Sequence, residues 1–450
     1  MFAQKRKRTG KMSSIKSYRQ ALEYIFSKLP VFQRQGPKAL KYDLSNIERF
    51  SAALGNPHLK FKSIHIAGTN GKGTVAHALA SVFQEAGYKT GLYTSPHYKD
   101  YRERIKINGK YIAKAFVKDF IKNNHDIIES LEPSYFELSV AMAFKYFADR
   151  QVDIAIVETG LGGRLDSTNI ITPLMSVITN ISLDHTQTLG ADLTSIAKEK
   201  AGIIKPYIPV VIGERQKETG EVFLSIAKQK HAPLCFAGDM VEVKYKDENR
   251  WYTGLEISSA LTDIKYLKTD LKGPFSAVNI KYALASLLCF REKVKDFEIK
   301  DEHITGGLRH IKRNTGYKGR WHVLSGKRYG RKDVKIIADG AHNFDAVRKT
   351  VDYVKSLHYN KLHIILGVVA DKEWDKVMRI LPADAIYYFT KADIPRAMES
   401  EKLKNAAAKY GLRGEAYGDI KAALEKAVSN AGKDDLILIM GSIYLVGEII

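Results

Sequence analysis

Three uninterrupted apolar runs in the first half of the chain predict buried β-strands. They cover residues 152–158, 174–180 and 208–212. Such runs are typical of parallel strands that are covered on both faces. The longer periodic stretches before them predict helices over 114–131 and 136–149. Strands that alternate with helices predict an α/β fold with a doubly wound, mostly parallel sheet, in which ligands bind beyond the carboxyl ends of the strands.

The pattern changes twice further along the chain. Alternating segments with aromatic residues over 241–271 predict β-hairpins, and a helix over 276–291 then closes the first domain. Residues 302–320 are rich in Gly, Arg and Lys and are expected to form a connection. Beyond them, strands are predicted at residues 334–339, 362–367, 385–389 and 435–440, with helices in between. We therefore expect two domains, over residues 1–312 and, smaller, over residues 313–450.

A glycine-rich turn follows a predicted strand at residues 64–67 and opens a helix. Its sequence, Gly68-Thr69-Asn70-Gly71-Lys72-Gly73-Thr74, is called the glycine loop below. Backbone N–H groups in such a turn, together with the helix dipole, form a cradle for phosphate. Lys72 would place a cation on the outer phosphates, and the Thr74 hydroxyl would reach a magnesium ion. Gly73 separates these two residues, so the standard phosphate-loop pattern is not met and a plain glycine turn stays the alternative.

Polar side chains also follow the next two predicted strands. Glu158 ends one apolar run, and His185 follows another. Because the carboxyl ends of parallel strands meet at one edge of a sheet, Thr74, Glu158 and His185 together suit Mg²⁺ that is bridged to phosphates. The alternatives are a salt bridge for Glu158 and a hydrogen-bonded loop histidine for His185.

The second domain repeats this arrangement of polar residues at strand ends. Asp339 and His342 lie between a predicted strand and a helix, and Ser442 follows the last strand. By pattern alone, Lys200 belongs to a charged helix end and would not be singled out.

Composition narrows the class of protein. The formal net charge of +21 suits either a polyanionic small molecule or a nucleic acid, but no motif that would read bases is present. The run Lys5-Arg6-Lys7-Arg8 predicts a disordered tail, and no apolar run approaches the roughly 20 residues of a membrane helix. Cys235 and Cys289 lack metal-ligand spacing and fit a reducing cytosol. We therefore expect a cytoplasmic protein without a membrane or nucleic-acid partner. A monomer is expected as well, although composition does not decide the oligomeric state.

Several short motifs occur in order from about residue 20 to the C-terminus. They are the glycine loop, Thr94-Ser95-Pro96-His97, residues 158–169, Asp184-His185-Thr186, residues 200–205, Asp339-Gly340-Ala341-His342-Asn343 and residues 441–448. In this order they resemble the folylpolyglutamate synthase/dihydrofolate synthase family of the Mur-ligase superfamily.

The resemblance implies an ATP-dependent ligase with ATP and Mg²⁺ as cofactors. It would add L-glutamate to dihydropteroate, to the γ-carboxyl group of folates, or to both, through an acyl phosphate. A folylpolyglutamate synthase that lacks dihydropteroate activity is the alternative, and a basic nucleic-acid-binding module is a less favoured one. The implied fold is a P-loop-containing, Mur-ligase-like ATPase domain followed by a smaller Rossmann-like glutamate-ligase domain.

The same resemblance implies roles for individual residues. The implied nucleotide contacts are Thr69, Asn70, Gly71, Lys72, Gly73, Thr74, Asn279, Arg320 and Asp339. The implied metal ligands are Thr74, Glu158, His185 and Lys200, the last as a carbamate. The implied catalytic residues are Lys72, His185, Lys200 and His342. The implied substrate contacts are Phe136, Asp166 and Ser167 for the pterin and Ser442 for glutamate.

The chain departs from the family pattern at three places. Residues Phe275-Ser276 precede Asn279 where the family often has histidine or tyrosine followed by glutamine. Tyr317-Lys318 precedes Gly319-Arg320 where the family often has Trp-Pro. Ser167 stands where alanine is common.

Overall fold

A computed structural model of the chain describes residues 15–29, 43–249, 251–370 and 374–450. The basic run at residues 5–8, for which a disordered tail is predicted, lies outside these residues. Within the described ranges, no helix combines the length and the apolar character that crossing a membrane requires.

The first sheet has eight strands and is mostly parallel. Its strands are β1 (Lys62–Ala67), β2 (Thr90–Tyr93), β3 (Ile105–Ile107), β4 (Lys110–Tyr111), β5 (Ile154–Glu158), β6 (Met175–Ile178), β7 (Val210–Ile212) and β8 (Leu234–Phe236). They lie in the order β4-β3-β2-β5-β1-β6-β7-β8, and only the pairs β2–β3 and β3–β4 are antiparallel. Every residue of β2, β5, β6 and β7 is buried, as expected for strands with helices on both faces. The predicted doubly wound sheet is confirmed.

Thirteen described α-helices and three 3₁₀ helices accompany this sheet and the hairpins that follow it. The α-helices are Tyr18–Lys28, Ser45–Ala53, Lys72–Glu85, Lys114–Asn123, His125–Leu131, Tyr135–Asp149, Thr186–Leu189, Leu193–Ala201, Gly220–Gln229, Ala237–Met240, Ser276–Lys293, Asp301–Arg309 and Ile311–Thr315. The single helix predicted over residues 114–131 is in fact two, since Asn124 has a non-helical backbone between them.

The first sheet, its helices and the hairpins that follow it form the first module of the structure. The helix that begins at Lys72 is the structural core of this module. All ten residues from Thr74 to Phe83 are buried, because the sheet covers one side of the helix and other helices cover the rest. One of these is Asp301–Arg309, which packs so closely that a Cβ on Gly307 would lie 2.5 Å from Val82 Cα. The prediction of a connection over residues 302–320 is therefore wrong for its first part. The glycines there permit close helix packing rather than a flexible linker.

Three antiparallel strands separate the two larger sheets, and they confirm the predicted hairpins. They are β9 (Glu242–Glu248), β10 (Thr253–Ser258) and β11 (Tyr266–Thr269), in the order β11-β10-β9.

The second large sheet has six strands. They are β12 (His322–Leu324), β13 (Lys335–Ala338), β14 (Leu362–Leu366), β15 (Ile386–Phe389), β16 (Gly414–Ala416) and β17 (Leu436–Met440), in the order β12-β13-β17-β14-β15-β16. The described helices around it are Phe344–Lys355, Asp375–Met378, Ser400–Ala408, Ile420–Asn430 and Ile443–Gly447. Only β12 runs antiparallel to its neighbour, so this second α/β module also follows the prediction.

Candidate active site

A cavity of about 470 Å³ lies where the carboxyl ends of β1 and β5 face the second module. Every site residue predicted from the sequence lines it. These residues are Thr69, Asn70, Gly71, Lys72, Gly73, Thr74, Phe136, Glu158, Asp166, Ser167, His185, Lys200, Asn279, Arg320, Asp339, His342 and Ser442. The chain therefore brings together, from both modules, residues that are separated by up to several hundred positions in the sequence.

The glycine loop connects β1 to the helix that begins at Lys72, and two of its glycines are required by their surroundings. Gly68 and Gly71 have φ angles of 141° and 84°, which L-amino acids with side chains rarely adopt. A Cβ on Gly68 would lie 1.9 Å from Thr179 Oγ1, and a Cβ on Gly71 would lie 2.3 Å from Asn279 Oδ1. The Asn70 N–H is held by Asn180 Oδ1 at 2.9 Å. The two glycines thus let Thr179 and Asn279 pack directly against the loop backbone and fix its conformation.

Two lysines converge on the loop. Lys72 Nζ donates to the carbonyl oxygens of Gly68 and Thr69, at 3.0 and 3.2 Å. Lys200 is 4% exposed, and its Nζ donates to the same Gly68 carbonyl at 2.9 Å. Burial, together with the charge of Lys72, lowers the pKa of Lys200 to about 7. A substantial fraction of Lys200 is therefore a neutral amine near neutral pH, which is the form that reacts with electrophiles.

The carboxylate of Glu158 lies against the same loop. It is buried at the end of β5, and a Cβ on Gly73 would lie 3.4 Å from its Oε2. Among the described residues, its only hydrogen bond comes from the Ser95 N–H, at 3.0 Å. Burial raises the pKa of Glu158 to about 7, although the charge of Lys72 opposes this effect. A buried carboxylate with so few partners is suited to a cation.

Side chains that could coordinate a magnesium ion are present, but the protein alone does not supply a full coordination shell. Thr74 and Glu158 line the cavity next to the loop, and His185 lines it at the start of the short helix Thr186–Leu189. Within the described ranges, no three His, Cys, Asp or Glu side chains gather closely enough to hold a metal ion. Mg²⁺ normally keeps several water or phosphate ligands and takes only one or two from carboxylates, so this sparse set fits it.

Asp184 joins the two modules at the cavity. Its carboxylate lies 3.5 Å from His342 Nε2, and it accepts a hydrogen bond from Asn343 Nδ2 at 3.2 Å. Asn343 Nδ2 also donates to Asn70 Oδ1 in the glycine loop, at 3.0 Å. His342 Nδ1 donates to the Gly340 carbonyl at 2.8 Å, which orients the imidazole toward Asp184.

Asp339 and Arg320 form the part of the cavity wall that belongs to the second module. Asp339 is buried and accepts hydrogen bonds from the N–H groups of Trp321 and Ala341, at 2.7 and 2.8 Å. Burial raises its pKa above the ordinary value. A Cβ on Gly340 would lie 2.7 Å from Arg320 Nη1, so the guanidinium passes directly over the turn that follows β13.

A pocket of the cavity lies around Gly160. The Phe136 ring packs on this glycine, where a Cβ would lie 2.4 Å from its Cζ. Asp166 accepts hydrogen bonds from the N–H groups of Gly160 and Leu161, at 2.8 and 2.9 Å, and also from Thr168. Asp166 therefore shapes its own loop. Ser442 lies at the other side, where its Oγ caps the helix Ile443–Gly447.

Sequence reasoning assigned no role to three residues that the geometry brings to the site. Asp184 and Asn343 stand inside the quoted motifs, but nothing in the sequence says that they meet. Tyr317 donates or accepts a hydrogen bond of 2.6 Å with the Thr74 hydroxyl. The departure from tryptophan at position 317 was visible in the sequence, whereas its partner was not.

Comparisons with known proteins agree on one family. Residues 66–287 match the Mur ligase middle domain, and residues 319–443 match the Mur ligase glutamate ligase domain. The chain is 31% identical over 446 residues to the dihydrofolate synthase/folylpolyglutamate synthase of Bacillus subtilis, covering 96% of this chain and 98% of that protein.

Two further proteins extend this result. The chain is 32% identical over 447 residues, 96% of its length, to a probable bifunctional folylpolyglutamate synthase/dihydropteroate synthase of Haloferax volcanii, and it spans half the length of that protein. Its fold is similar, with a TM-score of 0.81 and 29% identity, to the folylpolyglutamate synthase of Mycobacterium tuberculosis solved with ADP and AMPPCP, covering 90% of this chain and 94% of that one.

Proposed function

The chain belongs to the dihydrofolate synthase/folylpolyglutamate synthase family of the Mur ligases, and we propose that it is an ATP-dependent ligase of L-glutamate. It adds glutamate to dihydropteroate and to the γ-carboxyl group of folates. ATP phosphorylates the acceptor carboxylate, and the amino group of glutamate then displaces phosphate from the acyl phosphate. Phosphorylation is needed because a free carboxylate is a poor acyl donor.

One observation carries this proposal: a single cavity joins the glycine loop to polar residues of the second module. A ligase of this type must hold the phosphate donor and two further substrates at once, and catalysis is mainly positioning and charge neutralisation. A module boundary provides room for three substrates and excludes water when it closes.

The first module holds the phosphates. The N–H groups from Thr69 to Thr74 surround them, and Lys72 exchanges its two carbonyl partners for the outer phosphate oxygens. Three side chains hold the nucleoside part, namely Asn279, Arg320 and Asp339. Of these, Asn279 lies against Gly71 of the glycine loop. Since Arg320 precedes the first strand of the second module and Asp339 follows its second strand, both modules contribute to nucleotide binding.

Thr74 and Glu158 would hold Mg²⁺, with His185 at the same edge. The ion, when bound, neutralises charge on the phosphoryl oxygens. Lys200 as a carbamate would add an anionic oxygen beside Gly68. Its burial and its pKa of about 7 support this modification, because only the neutral amine combines with carbon dioxide.

The remaining predicted residues bind the other substrates. Phe136, Asp166 and Ser167 surround the pterin, since an aromatic ring and polar groups adjoin there. His342 and Ser442 bind glutamate from the second module. His342 is in reach of Asp184, which keeps its ring oriented while the amino group approaches.

An acceptor panel tests the proposed reaction. Purified protein with ATP, Mg²⁺ and L-glutamate is offered dihydropteroate or a monoglutamyl tetrahydrofolate, and ADP release and product mass are measured. Turnover of both acceptors supports the bifunctional enzyme, whereas turnover of the folate alone supports a folylpolyglutamate synthase only. The absence of glutamate-dependent ADP release with either acceptor contradicts the proposal.

The carbamate has its own test. Lys200→Ala is expected to lose most activity and to recover part of it when small carboxylates such as acetate are added. Lys198→Ala, on the exposed side of the same helix, is the matched control and is expected to keep full activity. A Lys200→Ala protein with undiminished activity contradicts the carbamate.

We also propose a monomeric cytoplasmic enzyme whose partners are small molecules. Residues 1–312 would form its ATP-binding domain and residues 313–450 its glutamate-ligase domain, although this division falls inside the helix Ile311–Thr315. The two free cysteines are consistent with a reducing compartment. Size-exclusion chromatography tests the monomer, and tight, salt-sensitive binding of an unrelated DNA would contradict the absence of a nucleic-acid partner.

A further inference from the structure

Arg104 is a buried arginine on the wall of the cavity for which the proposed reaction has so far no use. It ends the 3₁₀ helix Tyr101–Arg104 immediately before β3, and it is 4% exposed. It lines the cavity. Its position is therefore that of a substrate contact rather than of a surface charge.

Among the described residues, no carboxylate forms an ion pair with the Arg104 guanidinium, and the buried Glu158 carboxylate acts on it only through longer-range charge attraction. The two acids nearest in sequence are already engaged, Asp100 with Arg102 at 2.6 Å and Glu103 with Lys318 at 3.2 Å. Arg104 Nε donates to His97 Nδ1 at 2.9 Å, which requires that nitrogen to be unprotonated. Arg104 Nη1 is buried without a hydrogen-bond partner among the described residues.

The side chains in direct contact with the Arg104 guanidinium are aromatic. Its guanidinium lies 5.1 Å from the centre of the Tyr135 ring. His97 supplies no negative charge either, since burial and the neighbouring Arg104 lower its pKa to about 3. An unpaired buried charge is costly, and proteins retain one chiefly where a ligand completes the pair.

We propose that Arg104 binds a carboxylate of a substrate, one that does not itself react. This inference rests on the proposed function, which supplies glutamyl groups at this cavity. The carboxylate is the α-carboxylate of a glutamyl residue, because such a group remains free while the γ-carboxyl group or the amino group reacts. The planar fork of arginine can hold it in two parallel hydrogen bonds.

Two substrates carry such a group. A monoglutamyl folate has an α-carboxylate beside its reacting γ-carboxyl group, and dihydropteroate has no second carboxylate. The incoming L-glutamate also has an α-carboxylate, whichever acceptor is used. Arg104 therefore either favours folate acceptors over dihydropteroate or orients the glutamate for both.

The test compares Arg104→Gln and Arg104→Lys with the wild type. Arg102→Gln is the matched control, because Arg102 lies on the same short helix and its charge is already paired with Asp100. KM and kcat are measured for each acceptor and for glutamate. Removing one partner of a buried charge pair is expected to raise the relevant KM about 10-fold or more, with a smaller effect on kcat. Arg102→Gln is expected to leave all three KM values within about twofold.

Each outcome decides the proposal. A raised KM for the folate alone assigns its α-carboxylate to Arg104, and a raised KM for glutamate with both acceptors assigns the incoming amino acid. Unchanged KM values in folded Arg104→Gln protein overturn the carboxylate contact. If Arg104→Gln does not fold, Arg104→Lys decides, since it keeps the charge but loses the fork. A wild type that releases no ADP contradicts the proposed function itself and not only this contact.

Discussion

Replacing Glu158 by glutamine should stabilise the protein while it inactivates the enzyme. The Glu158 carboxylate is buried and accepts a single described hydrogen bond, from the Ser95 N–H. Glutamine has the same shape and no charge, so it can accept the same bond. It removes the group that would hold Mg²⁺, and it also removes a buried charge.

The size of this effect follows from the pKa of Glu158. Burial raises that pKa from 4.5 to about 7, so between these values the folded state binds a proton that the unfolded state has lost. The contribution of Glu158 to stability is then fully present below pH 4.5 and falls as the pH rises to 7. A pKa difference of this size corresponds to about 3 kcal/mol in total, of which about 2.5 kcal/mol lies between pH 5 and pH 8.

The assay is urea unfolding of wild type and Glu158→Gln at pH 5, 6, 7 and 8, without nucleotide and with a chelator, because bound ligands would add stability. The advantage of the glutamine variant over the wild type should grow by about 2.5 kcal/mol across this range. Glu221→Gln, at an exposed position of the helix Gly220–Gln229, reports the effect of the same exchange in water. A difference in stability between Glu158→Gln and wild type that is the same at pH 5 and pH 8 refutes a raised pKa of the buried Glu158 carboxylate.

Three further changes test other parts of the site and the fold. Lys72→Ala should reduce ADP formation at least about 100-fold with little loss of stability, since the hydrogen bonds of Lys72 Nζ to described residues are two, both to loop carbonyls; a large drop in melting temperature would show that its role is structural. Tyr317→Phe removes the 2.6 Å hydrogen bond to Thr74 and should lower the free energy of unfolding by about 1 kcal/mol in urea titrations, and no change would mean that water replaces the hydroxyl. Asp435→Ala removes the buried hydrogen bond with His363 Nε2 at 3.0 Å and should lower the free energy of unfolding by about 1–3 kcal/mol. KM values should stay unchanged, because the pair lies at the amino ends of the central strands β14 and β17, away from the strand ends that face the cavity; altered KM values would contradict that separation.

The fold was predictable where the composition of a segment alone shows that the segment is buried. The apolar run before Glu158 is buried on both faces, so its composition alone predicts a central parallel strand, and β5 is one. The prediction of a connection over residues 302–320 was wrong in its first part, because composition does not decide the structure there. Their glycines are compatible both with a linker and with close helix packing, and only the partner, the helix Lys72–Glu85, decides between the two.

The candidate site was predictable to the extent that residues at strand ends share one edge. Lys72, Glu158 and His185 each follow a predicted strand, and the cavity does lie at the ends of these strands. Lys200 was recognised only through the family resemblance, because its helix-end pattern resembles that of many charged helix ends. Its low pKa depends on burial beside Lys72, which no local pattern contains.

The sequence by itself determined the order of strands and helices, the glycine loop and the family to which the chain belongs. These properties depend on hydrophobic periodicity, on backbone freedom at glycine and on short motifs, all of which act over a few neighbouring residues. Only the tertiary structure decided which charges meet. It left Arg104 Nη1 buried without a hydrogen-bond partner among the described residues, placed Asp184 between the modules and joined Tyr317 to Thr74. Electrostatic interactions and hydrogen bonds depend on distance in space and on local burial, and neither quantity is set until distant segments have packed together.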